Sequence, residues 1–196
     1  MQEILKKIIE HTRNKHFQIR NKGDEEVFYD LCFCLLAPQT KFAYNRIATG
    51  DLMSLQFYQT NITENELHAI IKSTRFFRLK AKRLLEAKEQ FPEILKTVKS
   101  DMSDVEKREW LVENVNGLGM KAASHFLRNL GNESFAIIDT HIIRFMNMPK
   151  PRNKKEYLTI EREFKKRADE MGATPAELDM AIWKEYSGTA WEDYSV

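Results

Sequence analysis

Cysteine is scarce. Cys32 and Cys34 are the whole supply in 196 residues, and both sit in the apolar run Leu31-Cys32-Phe33-Cys34-Leu35-Leu36. Residues two apart on a helix point about 200° apart, so a local bridge is not expected. Two thiolates also fall short of the set that holds an iron–sulfur cluster, and the pair reads as small buried side chains in a reducing cytosol. Long apolar runs are missing too. Nothing approaches the ~20 residues a membrane span needs, and the opening stretch, Met1 to Glu10, alternates charge and apolarity where a secretory leader would not. A strong charge imbalance is absent: the formal net charge of +2 neither demands nor excludes nucleic acid, because clustering of basic residues decides that. Strand-like alternation, tandem repeats and low-complexity linkers are likewise absent. What remains, 42% hydrophobic and 31% charged residues, is enough for a chain of this length to bury a core. The expectation is a soluble cytoplasmic protein.

The apolar spacing is helical nearly throughout. It predicts an amphipathic helix over 2–19 with Ile4, Leu5, Ile8 and Ile9 on one face, and a strongly apolar helix over 25–36 capped by Asp24 and stopped by Pro38. Another helix follows Thr40. Thr63 with Glu66 forms a capping box opening a short helix through Ile71. A basic amphipathic helix spans 78–90 with Leu79, Leu84 and Leu85 inside, and Pro92 begins a separate short helix. Ser103 with Glu106 is a second capping box, for a helix to about Val115. Further helices are predicted over 120–130, closed by Gly131; from Thr140 to Asn147, capped by Asp139; over 154–171; and over 175–186, where Thr174, Pro175 and Glu177 suit a helix start. The class is all-α.

Between two of these helices lies Asn116-Gly117-Leu118-Gly119, a tight turn in which glycine supplies positive φ. It brings backbone N–H groups of Gly117, Gly119 and Met120 to the mouth of the following helix, where free amides and partial positive charge can hold a phosphate. By itself such a turn also fits a plain αα-hairpin. Lys121 sits in the first turn of that helix, an electrostatically adverse place for a cation. The same field favours the neutral amine, which is a nucleophile; an exposed phosphate counter-charge is the simpler alternative. Eighteen residues on, Asp139 follows Phe135-Ala136-Ile137-Ile138 as an N-cap. A carboxylate held in direction by a cap can also stabilise a forming sugar cation.

The segment Val115-Asn116-Gly117-Leu118-Gly119-Met120-Lys121, followed by Ile137-Ile138-Asp139-Thr140-His141, resembles the helix-hairpin-helix and aspartate of the DNA glycosylase superfamily that includes endonuclease III. The run Gly119 to Asn129 is most similar to the archaeal-type 8-oxoguanine DNA glycosylase/lyases, and the likeness extends from about residue 25 to 188. The resemblance implies two helical subdomains with a cleft between them. One is a central subdomain over about 40–130 containing the hairpin 104–130; the other combines about 1–39 with about 131–196. It implies a bifunctional DNA glycosylase/AP lyase that excises 8-oxoguanine through a lysine Schiff base, then cuts the strand by β-elimination. Lys121 matches the Schiff-base lysine and Asp139 its carboxylate partner. Gln39 matches the polar residue that fills the gap left by a flipped base, Phe76 an aromatic that stacks on that base, and Trp183 a tryptophan lining the base pocket. A monovalent cation held by backbone carbonyls would fall around Val115 and Leu118. No organic cofactor is implied. The partner is double-stranded DNA carrying a damaged base, met by a monomer at the nucleoid, with no membrane involved. At the end the pattern departs: the family's chain stops soon after the tryptophan with its carboxylate reading the base, whereas this one continues through Glu192-Asp193-Tyr194-Ser195-Val196.

Other candidates carry less. His125 and His141 can touch phosphate or move a proton, or simply pack. Arg75, Arg78, Lys80, Lys82 and Arg83 form a basic run suited to a phosphate backbone or to solvent, as are Arg128 and the basic residues of 150–155. Glu177 and Asp179 read as cap and solvent residues, and Trp191 and Tyr194 as a cover for the pocket or the last helix. Two rival functions follow from the same residues: a glycosylase for a different damaged base, and a non-catalytic helix-hairpin-helix DNA-binding module.

Overall fold

The computed structural model describes Lys7, Ile9 and the continuous stretch 22–187. The helix expected over 2–19 and the tail residues Trp191, Tyr194 and Val196 lie outside the described residues, apart from a helical Lys7 and a buried, helical Ile9. Every regular element among the described residues is an α-helix: α1 Asp24–Leu36, α2 Phe42–Ser54, α3 Glu64–Ile70, α4 Phe77–Val98, α5 Asp104–Asn114, α6 Met120–Asn129, α7 Thr140–Met146, α8 Lys154–Glu170 and α9 Pro175–Ser187. The chain divides into two compact units, Lys22–Phe126 and Met1–Asn21 with Leu127–Val196. The sequence expectation grouped residues 22–39 with the termini; instead α1 belongs to the central unit, because it packs against α2 and α4.

The reason lies in its composition. From Val27 to Leu36 every residue of α1 is buried, so the helix is wrapped on all sides rather than on one stripe. Phe28 is fully buried, its ring within 5.1–5.6 Å of Tyr29, Phe57, Tyr58 and Phe91. Burial of such a side chain contributes about 1.5–3 kcal/mol. Both cysteines are buried here, and burial pushes the Cys32 thiol far above its usual range. The cap of α1 is Gly23 rather than Asp24, because Glu26 reaches back to accept the Gly23 N–H at 2.7 Å. The capping boxes at Thr63/Glu66 and Ser103/Glu106 start α3 and α5 as expected.

Pro92 does not start a new helix; it sits inside the 22-residue α4. A mid-helix proline forfeits one backbone bond, but the stripe Ala81, Leu84, Ala87, Phe91, Ile94 runs straight through it into the core, and that burial prevails. The stripe also corrects one position: Leu79 is off-phase and 47% exposed, while Leu84 is fully buried.

In the second unit α9 packs on α7 and α8. Ahead of α7, Phe135 to Ile138 runs as a buried non-helical segment, so its amides need partners from elsewhere. Ile137 N–H donates to the Asp179 carboxylate at 3.0 Å, Ile138 N–H to the Tyr157 hydroxyl at 3.4 Å, and that hydroxyl donates to the Ala136 carbonyl. No helix among the described residues is long and apolar enough to cross a membrane.

Candidate active site

The hairpin forms where the glycines predict it. α5 ends at Asn114, and Val115 leaves it in an extended conformation. The Leu118 N–H closes the turn on the Val115 carbonyl at 3.1 Å. Gly117 has φ +101°, and a Cβ there would lie 2.7 Å from Cδ of Arg83 and 3.2 Å from Leu35. Glycine is therefore favoured by the backbone conformation, and a side chain there would also have to displace the end of Arg83. A Cβ at Gly119 would meet nothing, so the side of the turn at the mouth of α6 is open. Val115, Leu118 and Met120 face inward, and Lys121 is exposed in the first turn of α6. Between the two hairpin helices, buried Arg108 donates to the Ser124 hydroxyl at 3.1 Å.

Gln39 and Phe76 belong to the same unit. Gln39 is exposed with φ 55°, and Phe76 caps α4 with φ 60° and is 53% exposed. Each is a non-glycine residue in the left-handed region, a strained placement of the kind that gathers at functional positions. The Arg75 guanidinium lies 5.0 Å over the Phe76 ring. α4 connects these features to the hairpin. Lys80 holds the Pro38 carbonyl and the Thr40 hydroxyl on either side of Gln39, Arg83 packs against Gly117, and Glu86 accepts from the Asn116 side chain at 3.0 Å. Phe76, Lys80, Arg83 and Glu86 are spaced four, three and three apart, which keeps them on one helical face.

The remaining candidates lie in the second unit. Asp139 caps α7, and its Oδ1 accepts from His141 N–H at 2.8 Å and Ile142 N–H at 3.0 Å. His141 is half-buried with its ring 6.3 Å from that of Tyr186, and Trp183 is half-buried on α9. His125, in the central unit, stands edge-on to Phe33 at 5.6 Å, a packing role.

Three expectations are overturned. Asp179 is not a solvent residue: it is buried, and Arg128, expected on a basic surface, is buried against it at 2.6 Å. Burial raises the Asp179 carboxyl to about 6 against the opposing pull of Arg128 and the Ile137 N–H, with the Asp139 carboxylate adding to the rise. Lys80, also expected in a basic surface run, is 2% exposed. The signal for both cations was present. Arg128 continues the apolar phase of Met120, Ser124 and Leu127, and Lys80 that of Leu84 and Ala87, so each charge stands on a core stripe.

An all-helical chain whose glycine turn opens onto a lysine-bearing helix defines the helix-hairpin-helix class. The comparisons go further. Residues 10–173 match the Ogg-HhH family, described as 8-oxoguanine DNA glycosylase. An 8-oxoguanine DNA glycosylase/AP lyase of Thermoplasma volcanium is 36% identical, over 95% of this chain and 90% of the relative; that of Sulfolobus acidocaldarius is 33% identical, over 90% of each. The crystal structure of the Methanocaldococcus jannaschii 8-oxoguanine glycosylase/lyase in complex with a 15mer DNA containing 8-oxoguanine aligns with a TM-score of 0.82 at 31% identity, covering 96% of this chain and 99% of that one. That of the Thermotoga maritima 8-oxoguanine DNA glycosylase gives 0.80 at 27% identity, with the same coverage. The chain belongs to the 8-oxoguanine DNA glycosylase family.

Proposed function

We propose that this protein excises 8-oxoguanine from double-stranded DNA and then cleaves the strand at the resulting abasic site, acting as a monomer at the nucleoid. The observation that carries the reading is Lys121, exposed in the first turn of a helix that opens from the glycine turn, in a chain of this family. A base inside a duplex is out of reach and must be extruded at a cost of a few kcal/mol. Gln39 fills the vacancy, and Phe76, already 53% exposed, stacks on the extruded base, which returns ~1–3 kcal/mol. Trp183 lines the base pocket. The N–H groups of Gly117, Gly119 and Met120 hold a phosphate, with His141 beside it.

The Lys121 amine attacks C1′ as the bond to the base breaks and the base leaves with its electron pair. Asp139 takes the proton the amine loses and stabilises the positive charge that builds on the sugar. Opening of the sugar ring gives a Schiff base; loss of a C2′ proton then expels the 3′ phosphate. The Val115 carbonyl accepts one bond and keeps a second lone pair, and with the Leu118 carbonyl it offers neutral oxygens that fit a hard monovalent cation. Bound there, the ion would lend positive charge to phosphate binding.

Borohydride trapping on duplex DNA carrying 8-oxoguanine tests the proposal. Wild-type protein is expected to give a covalent adduct and Lys121→Gln none. An adduct on preformed abasic DNA but never on 8-oxoguanine DNA would leave the lyase and sink the substrate.

A further inference from the structure

We infer that Lys80 is the positioning residue that presents Gln39 to the DNA. The inference rests on the gap-filling reading of Gln39 given above. Its ammonium donates to the Leu36 carbonyl at 2.6 Å, the Pro38 carbonyl at 2.9 Å and the Thr40 hydroxyl at 2.7 Å. An ammonium has three protons, and all three are spent within Leu36-Ala37-Pro38-Gln39-Thr40. Two of the acceptors flank Gln39 directly. The third is the last carbonyl of α1, one of the orphaned acceptors at the negative end of a helix dipole, which a cation satisfies.

This arrangement answers two questions at once. A lysine that is 2% exposed needs full compensation, and the loop supplies it. Gln39 meanwhile sits at φ 55°, where a residue with a Cβ stays only if its surroundings impose the conformation. The backbone bonds of the loop itself are few: Thr40 N–H to the Ala37 carbonyl and Ala37 N–H to the Phe33 carbonyl. What fixes Pro38 and Thr40 from outside is Lys80. Since α4 also carries Phe76 at its start and Arg83 against the hairpin glycine, the lysine sets the Gln39 tip in register with the other two DNA-facing features of this unit. A loop free to sample other conformations would have to be ordered afresh at each base extrusion, and small misplacements are costly in rate.

The test compares Lys80→Met, Gln39→Ala and the double variant under single-turnover conditions. The substrates are duplex DNA with 8-oxoguanine opposite cytosine and duplex DNA with a preformed abasic site, where no base pair has to be held open. 2-Aminopurine beside the lesion reports the extrusion. Lys80→Met is expected to slow excision roughly tenfold, to weaken the 2-aminopurine signal, and to leave abasic-site cleavage within about twofold of wild type. The double variant should be no slower than the slower single variant. Equal losses on both substrates, or losses that multiply in the double variant, would overturn the inference. Normal excision by Gln39→Ala would remove the gap-filling reading itself, and the inference with it. Should Lys80→Met fail to fold, Thr40→Val keeps the cation and deletes one acceptor. It is expected to slow excision about threefold with abasic cleavage retained, and unchanged excision would count against Lys80.

Discussion

In the unit 22–126 the segments leaving helices are held from inside by cations on carbonyls. Lys80 takes the end of α1, and Lys88, its ammonium 4.9 Å over the Phe57 ring, donates to the Phe57 and Thr60 carbonyls beyond α2. In the unit 127–187 the segments entering helices are held by carboxylates on amides: Asp179 takes Ile137 N–H, Asp139 takes His141 and Ile142 N–H, and Glu177 takes Thr174 N–H. At the helix ends themselves the sign follows polarity: a chain leaving a helix trails unpaired carbonyls, as at Leu36, and one entering a helix brings unpaired amides, as at His141 and Ile142.

The two halves of that contrast differ in how much depends on them. Breaking the Arg128–Asp179 pair should have the larger effect on stability, because Arg128→Ala leaves a buried carboxylate with the Asp139 charge nearby and no guanidinium. A loss of about 3–5 kcal/mol is expected in urea unfolding; a loss under about 1 kcal/mol would place the grip in the Ile137 bond alone. Next is pH. Burial, aided by Arg83, lowers the Lys80 ammonium from 10.5 to about 8. Between those values the unfolded chain binds the proton and the folded protein has released it, so stability attributable to this group rises with pH across that window. Relative to Lys80→Met, wild type should gain stability from about pH 8 to 10.5; parallel curves would deny the lysine an interior site. The smallest stability effect belongs to Asp139→Asn. Asparagine caps as well as aspartate, so unfolding should shift by less than about 1 kcal/mol while base release slows. Unfolding of this variant would reduce Asp139 to a cap.

The sequence was most legible where one local rule decides the outcome. The capping boxes at Thr63 and Ser103 and the turn Asn116-Gly117-Leu118-Gly119 are complete within four residues, and the corresponding helices begin and end within a residue or two of expectation. It was misleading at Pro92, where a local breaker competes with a stripe whose value depends on α1 lying underneath. At Lys80 and Arg128 the helical phase marked a buried charge but named no partner, and nothing local marked Asp179. Their partners lie 40 to 51 residues away, and in the lysine's case are mostly backbone carbonyls, which every residue carries and no motif marks. Lys121 and Asp139 drew notice through the hairpin and the cap around them, features that neighbouring residues announce.

Gln39 and Phe76 hold side chains where the backbone would accept glycine more readily, at a cost of roughly 1–2 kcal/mol each. A laboratory screen that rewarded only heat resistance would be drawn to glycine at both places, discarding the amide and the ring together. Robustness and repair are thus set against each other at two defined positions, and a screen for hardier variants needs damaged DNA among its selection pressures.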